Sequence, residues 1–151
     1  MRKKNSISDF TSERDTHLLL NFRKALAVQS RISLEKAFRT ASEAPAPRFW
    51  VSEQRAAIVI GRILAGDDPT LSMTPRKREM YRELYARVLT LRGLHPEASI
   101  QQLAFEAVNQ PAPCAYLSWP RVRTLIYNER RRLRLERREA AKARGSASGR
   151  E

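Results

Sequence analysis

The segment PAPRFWVS at residues 45–52 has a counterpart in PAPCAYLS at residues 111–118. The same 66-residue shift, without a gap, aligns Ser33 with Ser99 and Arg55 with Arg121. Self-similarity at a fixed offset is typical of an internal repeat. The sequence therefore predicts a tandem duplication in which each copy has about 60 residues. Copies of that size bury little apolar surface alone, so we expect packing between them to contribute to stability.

Each Pro-Ala-Pro triplet predicts where one helix ends and the next begins. Proline has no N–H and disfavours helical geometry in the residue before it, so Pro45 and Pro111 must end the second helix of each copy. Ser52 and Ser118 follow at matching positions and can cap the third helix. We expect the triplet to fix the direction in which the third helix leaves the second.

Apolar residues recur at spacings of three and four, which predicts three amphipathic helices in each copy. The predicted helices begin at Ser12, Ser33 and Ser52 in the first copy, and at Thr74-Pro75, Ser99 and Ser118 in the second. The predicted core positions of the first copy are Leu18, Phe22, Ala25, Leu34, Ala37, Phe38, Ala41, Ala56, Val59, Ile60 and Ile63. Those of the second copy are Leu84, Val88, Leu91, Ile100, Leu103, Ala104, Ala107, Val122, Leu125 and Ile126.

These patterns predict an all-α fold with two tandem three-helix modules of the helix-turn-helix kind and a long basic C-terminal helix. The predicted division of the chain is a basic N-terminal arm at 1–10, a first module at 11–65, a linker at 66–73, a second module at 74–130, and a basic helical extension with a disordered tail at 131–151. The extension contains YNERRRLRLERREAAKAR, which favours helix, and the tail GSASGRE is rich in glycine and serine.

The charge of the chain is strongly basic, with 29 Lys and Arg against 16 Asp and Glu and a net charge of +13. Residues 1–64 hold 12 basic and 6 acidic residues, residues 65–119 hold 6 of each, and residues 120–151 hold 11 and 4. The excess therefore lies in the first copy and at the C-terminal end. Such an imbalance favours a polyanionic partner, and nucleic acid is the first candidate.

The third helix of a helix-turn-helix module enters the major groove, where arginine can bind guanine and asparagine can bind adenine. The candidate nucleic-acid-binding residues on the third helices and the extension are Arg55, Arg62, Arg121, Arg123, Thr124, Asn128, Arg130, Arg131, Arg132, Arg134, Arg137 and Arg138. The alternative is a solvated helix face on which Glu129, Glu136 and Glu139 pair locally with arginines. The connector of about eight residues exceeds the three or four of the ordinary motif, which argues against standard docking.

Trp50 and Tyr116 occupy equivalent positions after the two triplets. Aromatic side chains can stack on exposed bases, as they do in proteins that bind single strands. Aromatic residues beside Val51 and Leu117 are also typical of a core, in which they would anchor the turn. Both interpretations stay open at this stage.

No pattern of catalytic residues is present in the sequence: it has no phosphate-binding glycine loop, no paired carboxylates around a histidine, and no GxSxG or HExxH motif. One cysteine, Cys114, excludes an internal disulfide, and with only His17 and His95 there is no zinc-finger ligand set. We therefore expect a non-enzymatic protein without metal or cofactor. The sequence has neither a membrane-length apolar run nor an apolar signal region, so we expect it in the cytoplasm, at the nucleoid if it binds DNA.

PAPRFWVSEQRA, together with the later Pro-Ala-Pro triplet, resembles a group of small basic proteins of gut Bacteroidetes and their mobile elements to which no function is attached. The resemblance implies a bacterial cytoplasmic setting and no activity. The leading hypothesis from the residues is a protein that binds nucleic acid, duplex DNA in preference to RNA, as a monomer or a homodimer. The alternative is a helical adaptor or assembly protein that docks on RNA or on a larger complex and has a protein partner.

Overall fold

The computed structural model describes the backbone of residues 4–28 and 31–148, and the side chains of residues 10–28 and 31–146. This part of the chain is all-α and contains no strand. Its helices are α1 (Lys4–Val28), α2 (Leu34–Glu43), α3 (Glu53–Leu64), α4 (Pro75–Leu94), α5 (Ile100–Val108) and α6 (Trp119–Ser148), with a short 3₁₀ helix (Pro69–Ser72) between α3 and α4. None of these helices combines the length and the apolarity that a bilayer crossing requires.

Serine side chains cap three of the helices at the predicted positions. The Ser33 hydroxyl accepts a hydrogen bond from the amide of Lys36, and the Ser52 hydroxyl accepts one from Arg55. Ser99 forms a reciprocal capping box with Gln102, whose side chain accepts a hydrogen bond from the Ser99 amide. Each bond satisfies an amide that has no partner within its helix, so these local signals fix the helix starts.

Two boundaries differ from the predicted division of the chain. Helix α1 begins at Lys4 and not after Ser12, so residues 4–10 of the predicted arm are helical, and residues 1–3 lie outside the described part. No proline or glycine interrupts α1, and Phe10 packs against the core, which supports the early start. Helix α6 continues through Ser148, so residues 145–148 of the predicted disordered tail are helical, while residues 149–151 lie outside the described part.

The helices pack in a different grouping from the consecutive modules that the sequence predicts. Helices α1 and α2 pack against each other and against α6, whereas α4 and α5 pack against each other and against α3. The first half of the chain contains α1–α3 and the second half contains α4–α6. Helix α6 therefore covers the first two helices of the first half, and α3 covers the first two helices of the second half. Buried residues of all six helices form one hydrophobic cluster, so neither half has a core of its own.

The two Pro-Ala-Pro segments pair with each other across the centre of this exchange. The Ala46 amide donates to the Ala112 carbonyl at 2.9 Å, and the Ala112 amide donates to the Ala46 carbonyl at 2.9 Å. The Phe49 amide donates to the Val108 carbonyl, and the amide 66 residues after that of Phe49, which belongs to Ala115, donates to the Ser42 carbonyl, each at 2.9 Å. The hydrogen bonds at this junction therefore obey an approximate two-fold relation between the halves.

The predicted core positions are almost all buried in this cluster. Phe38 lies at its centre: its ring stacks on Phe22 with a centroid distance of 4.6 Å, and it meets Trp119 and Tyr127 of α6 at 6.5 and 5.9 Å. Ile63 and Ile100 are partly buried and pack at the edge of the cluster. Leu34 is an error of the sequence prediction: it is the first residue of α2 and is 55% exposed.

Candidate nucleic-acid interface

Helix α6 extends beyond the core as an isolated rod. Leu133 is the last of its residues that packs against the hydrophobic cluster, and the described side chains from Arg134 to residue 146 are all exposed. At 1.5 Å per residue, the segment from Arg134 to Ser148 is about 20 Å long. A helix of this length without tertiary support is marginal alone, so its stability depends on the packed half of α6.

Six arginines of α6 lie along one exposed part of the helix surface. Arg123, Arg130, Arg134 and Arg137 follow each other at spacings of seven, four and three, which places them on one stripe. Arg131 and Arg138, seven positions apart, lie beside it. All six are exposed, and none forms an ion pair with a carboxylate of the described residues. We call these six residues the arginine face.

The acidic residues of α6 lie on a different side, together with Arg132. The Arg132 guanidinium donates to both carboxylate oxygens of Glu129, at 3.0 and 2.8 Å, and also to Glu136. Glu129 is only 4% exposed and also accepts a hydrogen bond from Thr16 of α1 at 3.4 Å. The hydrogen bond from Arg132 holds the pKa of Glu129 below its usual value. Of the predicted binding residues, Arg132 is therefore committed to an internal network.

The first part of α6 presents the other predicted residues of this helix. Arg121, Thr124 and Asn128 are exposed, and the Thr124 hydroxyl donates to the Pro120 carbonyl at 3.2 Å. The Arg123 guanidinium lies over the Trp119 ring, 5.7 Å from its centroid. A cation–π interaction at this distance orients the guanidinium. These side chains and the arginine face belong to the same exposed helix, so the structure brings most of the predicted residues onto one element.

Arg55 and Arg62 lie apart from that surface. Both belong to α3, which packs in the other group of helices, against α4 and α5. Arg62 forms two hydrogen bonds with the Asp67 carboxylate, at 3.0 and 2.7 Å. Arg55 lies beside Tyr81. Burial raises the pKa of Tyr81, and the nearby Arg55 guanidinium offsets a part of that rise. The structure therefore does not bring the two α3 arginines together with those of α6.

The two aromatic residues after the triplets differ in burial: Trp50 is buried in the core and Tyr116 is half-buried. Trp50 is 7% exposed, its ring stacks on Phe10 at 6.3 Å, and it also contacts His17 at 6.0 Å. A base cannot reach a ring that is covered in this way, so Trp50 is not a stacking platform. Tyr116 is half-buried, and its ring stacks on Phe49 at 6.1 Å. Tyr116 also has a φ of 57°. This left-handed conformation is strained for a residue with a side chain.

The described residues hold no group of three or more His, Cys, Asp or Glu side chains that could bind a metal ion. Burial lowers the pKa of His17, with a further contribution from nearby Lys24. Burial raises the pKa of the Cys114 thiol. These shifts favour the neutral form of each group.

Two basic residues outside the predicted binding set also lie near the start of α6. Arg76 and Lys77, in the first turn of α4, line a cavity together with Arg121. The sequence does contain a signal: basic residues in a first helical turn lie at the positive end of the helix dipole, where acidic residues are normally preferred. Comparisons of the whole chain with models of protein families, with curated proteins and with solved structures find no match.

Proposed function

We propose that this protein binds duplex DNA without catalysing a reaction, through the arginine face of α6. The observation that carries the proposal is the absence of carboxylate partners for this face among the described residues. By contrast, Arg132 on the same helix is bound to Glu129. Exposed guanidiniums that lack a carboxylate partner, arranged along one helix, suit bidentate contacts with phosphate.

The dimensions of the arginine face match a nucleic-acid groove. From Arg123 to Arg137 the helix rises about 21 Å, which is close to the rise of six base pairs of duplex DNA. An α-helix fits the major groove of B-form DNA, whereas the major groove of an RNA duplex is too narrow for side chains to read. Most contacts of such a helix would be with phosphates, so we expect strong binding with modest sequence preference.

We further infer that the chain is a duplicated three-helix unit whose third helices are exchanged between the copies. The support comes from the 66-residue offset of the sequence repeat and from the paired hydrogen bonds at the two triplets, which follow the same offset. In this interpretation α1, α2 and α6 form the helix-turn-helix-like unit that presents the DNA-binding helix. The α3 helix, whose Arg62 is ion-paired, stabilises the other unit.

A helical adaptor is the second candidate, and a specific observation favours it. Large apolar side chains remain exposed on several elements, among them Val28 at 79%, Leu71 at 71% and Leu94 at 69%. They belong to α1, the 3₁₀ helix and α4 and are separate from the arginine face. A protein partner would cover such side chains, which nucleic acid would leave exposed.

The test is a titration of the whole chain with a random 20-base-pair DNA duplex and with an RNA duplex of the same sequence, each at several salt concentrations. We expect tighter binding to the DNA and an affinity that falls steeply with salt. A chain that ends at residue 135 keeps the described core contacts but lacks the outer part of the arginine face, and it should bind more weakly. Failure of the whole chain to bind either duplex at low salt would exclude this function and favour the adaptor.

A further inference from the structure

A cavity of about 430 Å³ lies between the beginnings of α4 and α6. Residues of the first turn of α4, including Arg76 and Lys77, form one wall. The opposite wall is formed by the segment that leads into α6, with Tyr116 and Ser118, and by Arg121 of its first turn. Its volume is within the range of small-molecule sites, which is about 300–1,000 Å³.

Three cationic side chains surround this cavity, and none has an ion-pair partner among the described residues. No acidic side chain belongs to the lining; the closest along the helix, Glu79, lies one turn beyond Arg76 on α4. By contrast, Arg87 on the same helix is bonded to Glu83 at 2.9 Å. The cavity lining therefore carries three positive charges and no carboxylate, although Glu83 and Glu79 of α4 are near enough to interact electrostatically with the Tyr116 hydroxyl.

The backbone adds to this positive charge. The α4 helix begins at Pro75, which has no N–H, and its N-cap residue Thr74 makes no side-chain hydrogen bond with the first turn. The amides of Arg76 and Lys77 thus lack a side-chain cap, unlike those that Ser33 and Ser52 cap in α2 and α3. Arginine and lysine at the positive end of a helix dipole are electrostatically unfavourable. An anion in the cavity would relieve this repulsion.

We propose that the cavity binds the phosphate of a phosphate monoester. Arg76, Lys77 and Arg121 would neutralise its charge, and the free amides of α4 would donate hydrogen bonds to its oxygens. The Ser118 hydroxyl already accepts a hydrogen bond from the Arg121 amide at 3.4 Å. It keeps its own proton to donate to the ligand. The cavity is larger than a phosphate ion, so the organic part of the ligand would lie against Tyr116.

A nucleotide satisfies this description, and so does the phosphorylated end of a nucleic-acid strand. Both present a phosphate monoester attached to a sugar that carries a flat base. The ring of Tyr116 provides an apolar surface against which that base can lie. Arg121 is the one residue of α6 in the cavity lining, and it does not belong to the arginine face. Binding of a free nucleotide therefore does not depend on duplex binding by the arginine face.

The experiment is a titration of the ¹⁵N-labelled whole protein with adenosine monophosphate, inorganic phosphate and adenosine, followed by amide chemical shifts. We expect adenosine monophosphate to shift the amides of Arg76, Lys77 and Ser118 with a Kd of about 1 mM or tighter. Inorganic phosphate should shift the same amides with weaker affinity, and adenosine should not shift them. A 5′-phosphorylated single-stranded oligonucleotide, compared with its unphosphorylated form, shows whether a strand end also enters the site.

The variant that tests the site carries Arg76→Ala and Lys77→Ala, and the matched control carries Arg82→Ala and Arg92→Ala. Both pairs are exposed on α4 and remove two positive charges, but only the first pair lines the cavity. The site variant should bind adenosine monophosphate at least tenfold more weakly, and the control should bind as the wild type does. Equal weakening in both variants, or no shift at these amides in the wild type, would overturn the proposal. Duplex binding by the control and the site variant is measured separately, so the two proposals can fail independently.

Discussion

Replacement of four arginines of the arginine face should change the salt dependence of DNA binding by a calculable amount. The variant carries glutamine at Arg123, Arg130, Arg134 and Arg137, which form one stripe on α6. If each arginine neutralises one phosphate, each contributes about 0.9 to the slope of log K against log salt concentration. The four substitutions together should therefore reduce the magnitude of that slope by about 3.6.

The slope difference also predicts how the loss of affinity in the variant depends on the salt concentration. A fourfold increase in salt, from about 50 to about 200 mM, converts a slope difference of about 3.6 into a factor of about 150. The ratio of wild-type to variant affinity should thus be about 150 times larger at the lower of these salt concentrations than at the higher. Fluorescence anisotropy with a labelled 20-base-pair duplex measures both affinities at each salt concentration.

A control variant with the same change in net charge separates local contacts from the overall field of the protein. It carries glutamine at four exposed cations outside α6, namely Arg23, Lys24, Arg31 and Arg92. Long-range attraction depends on total charge, whereas counterion release depends on which charges touch phosphate. The control should keep a slope close to that of the wild type. A control slope reduced as much as that of the arginine-face variant would show that binding is diffuse and would refute this reasoning.

Three further predictions concern the fold. Phe38→Ala should lower the free energy of unfolding by about 3–5 kcal/mol, because its ring joins three helices at the centre of the core. The exposed Leu34 of the same helix should tolerate alanine with a cost of about 0.5 kcal/mol at most, and urea denaturation of both variants checks the contrast. A chain of residues 1–73 should show little cooperative unfolding in far-UV circular dichroism until it is mixed with residues 74–151, because each fragment lacks the third helix that covers it. Failure of the two fragments to associate when they are mixed would contradict the exchanged packing. Glu129→Gln removes the charge that Arg132 binds and should lower the free energy of unfolding at neutral pH. We expect a loss of about 1 kcal/mol only, because solvent partly screens the Arg132 guanidinium. The pKa of Glu129 is lowered on folding, so its contribution is present above its unfolded pKa, near 4.5, and disappears as pH falls through the folded value. The difference between wild type and variant should shrink below that pH, and a difference that grows there would contradict the assignment.

Local signals in the sequence predicted the helices well. Ser33, Ser52 and Ser99 cap the helices that begin after them, and α2 and α5 end before Pro45 and Pro111. These signals act within a few residues, so they have the same meaning in any tertiary context. Leu34 was assigned to the core by periodicity alone, but a periodic stripe does not show where the neighbouring helix ends.

The candidate site was predicted only in part, because the sequence does not show which charges find partners. Arg134 and Arg62 are both exposed arginines on helices, yet Arg62 binds Asp67 in the turn after α3, and Arg134 has no carboxylate partner among the described residues. Arg76 and Lys77 lie far in sequence from Arg121, and the three come together only as lining residues of one cavity. Which arginine and lysine side chains lie near a carboxylate, or near each other, depends on the tertiary fold. Counting the charges in the sequence gives only how many there are.

The sequence by itself determined that the chain is helical, where most helices begin and end, and which faces are apolar. It could not determine which third helix covers which half, because α3 and α6 carry the same apolar pattern, with Val59 and Ile60 matched by Leu125 and Ile126. Two packings with similar buried surfaces differ in free energy by much less than the total that either gains from burial. The tertiary structure has the exchanged packing, and in it the backbone of Ala46 pairs with that of Ala112. In that pairing, residues far apart in sequence satisfy each other's hydrogen bonds and direct each third helix across to the opposite half.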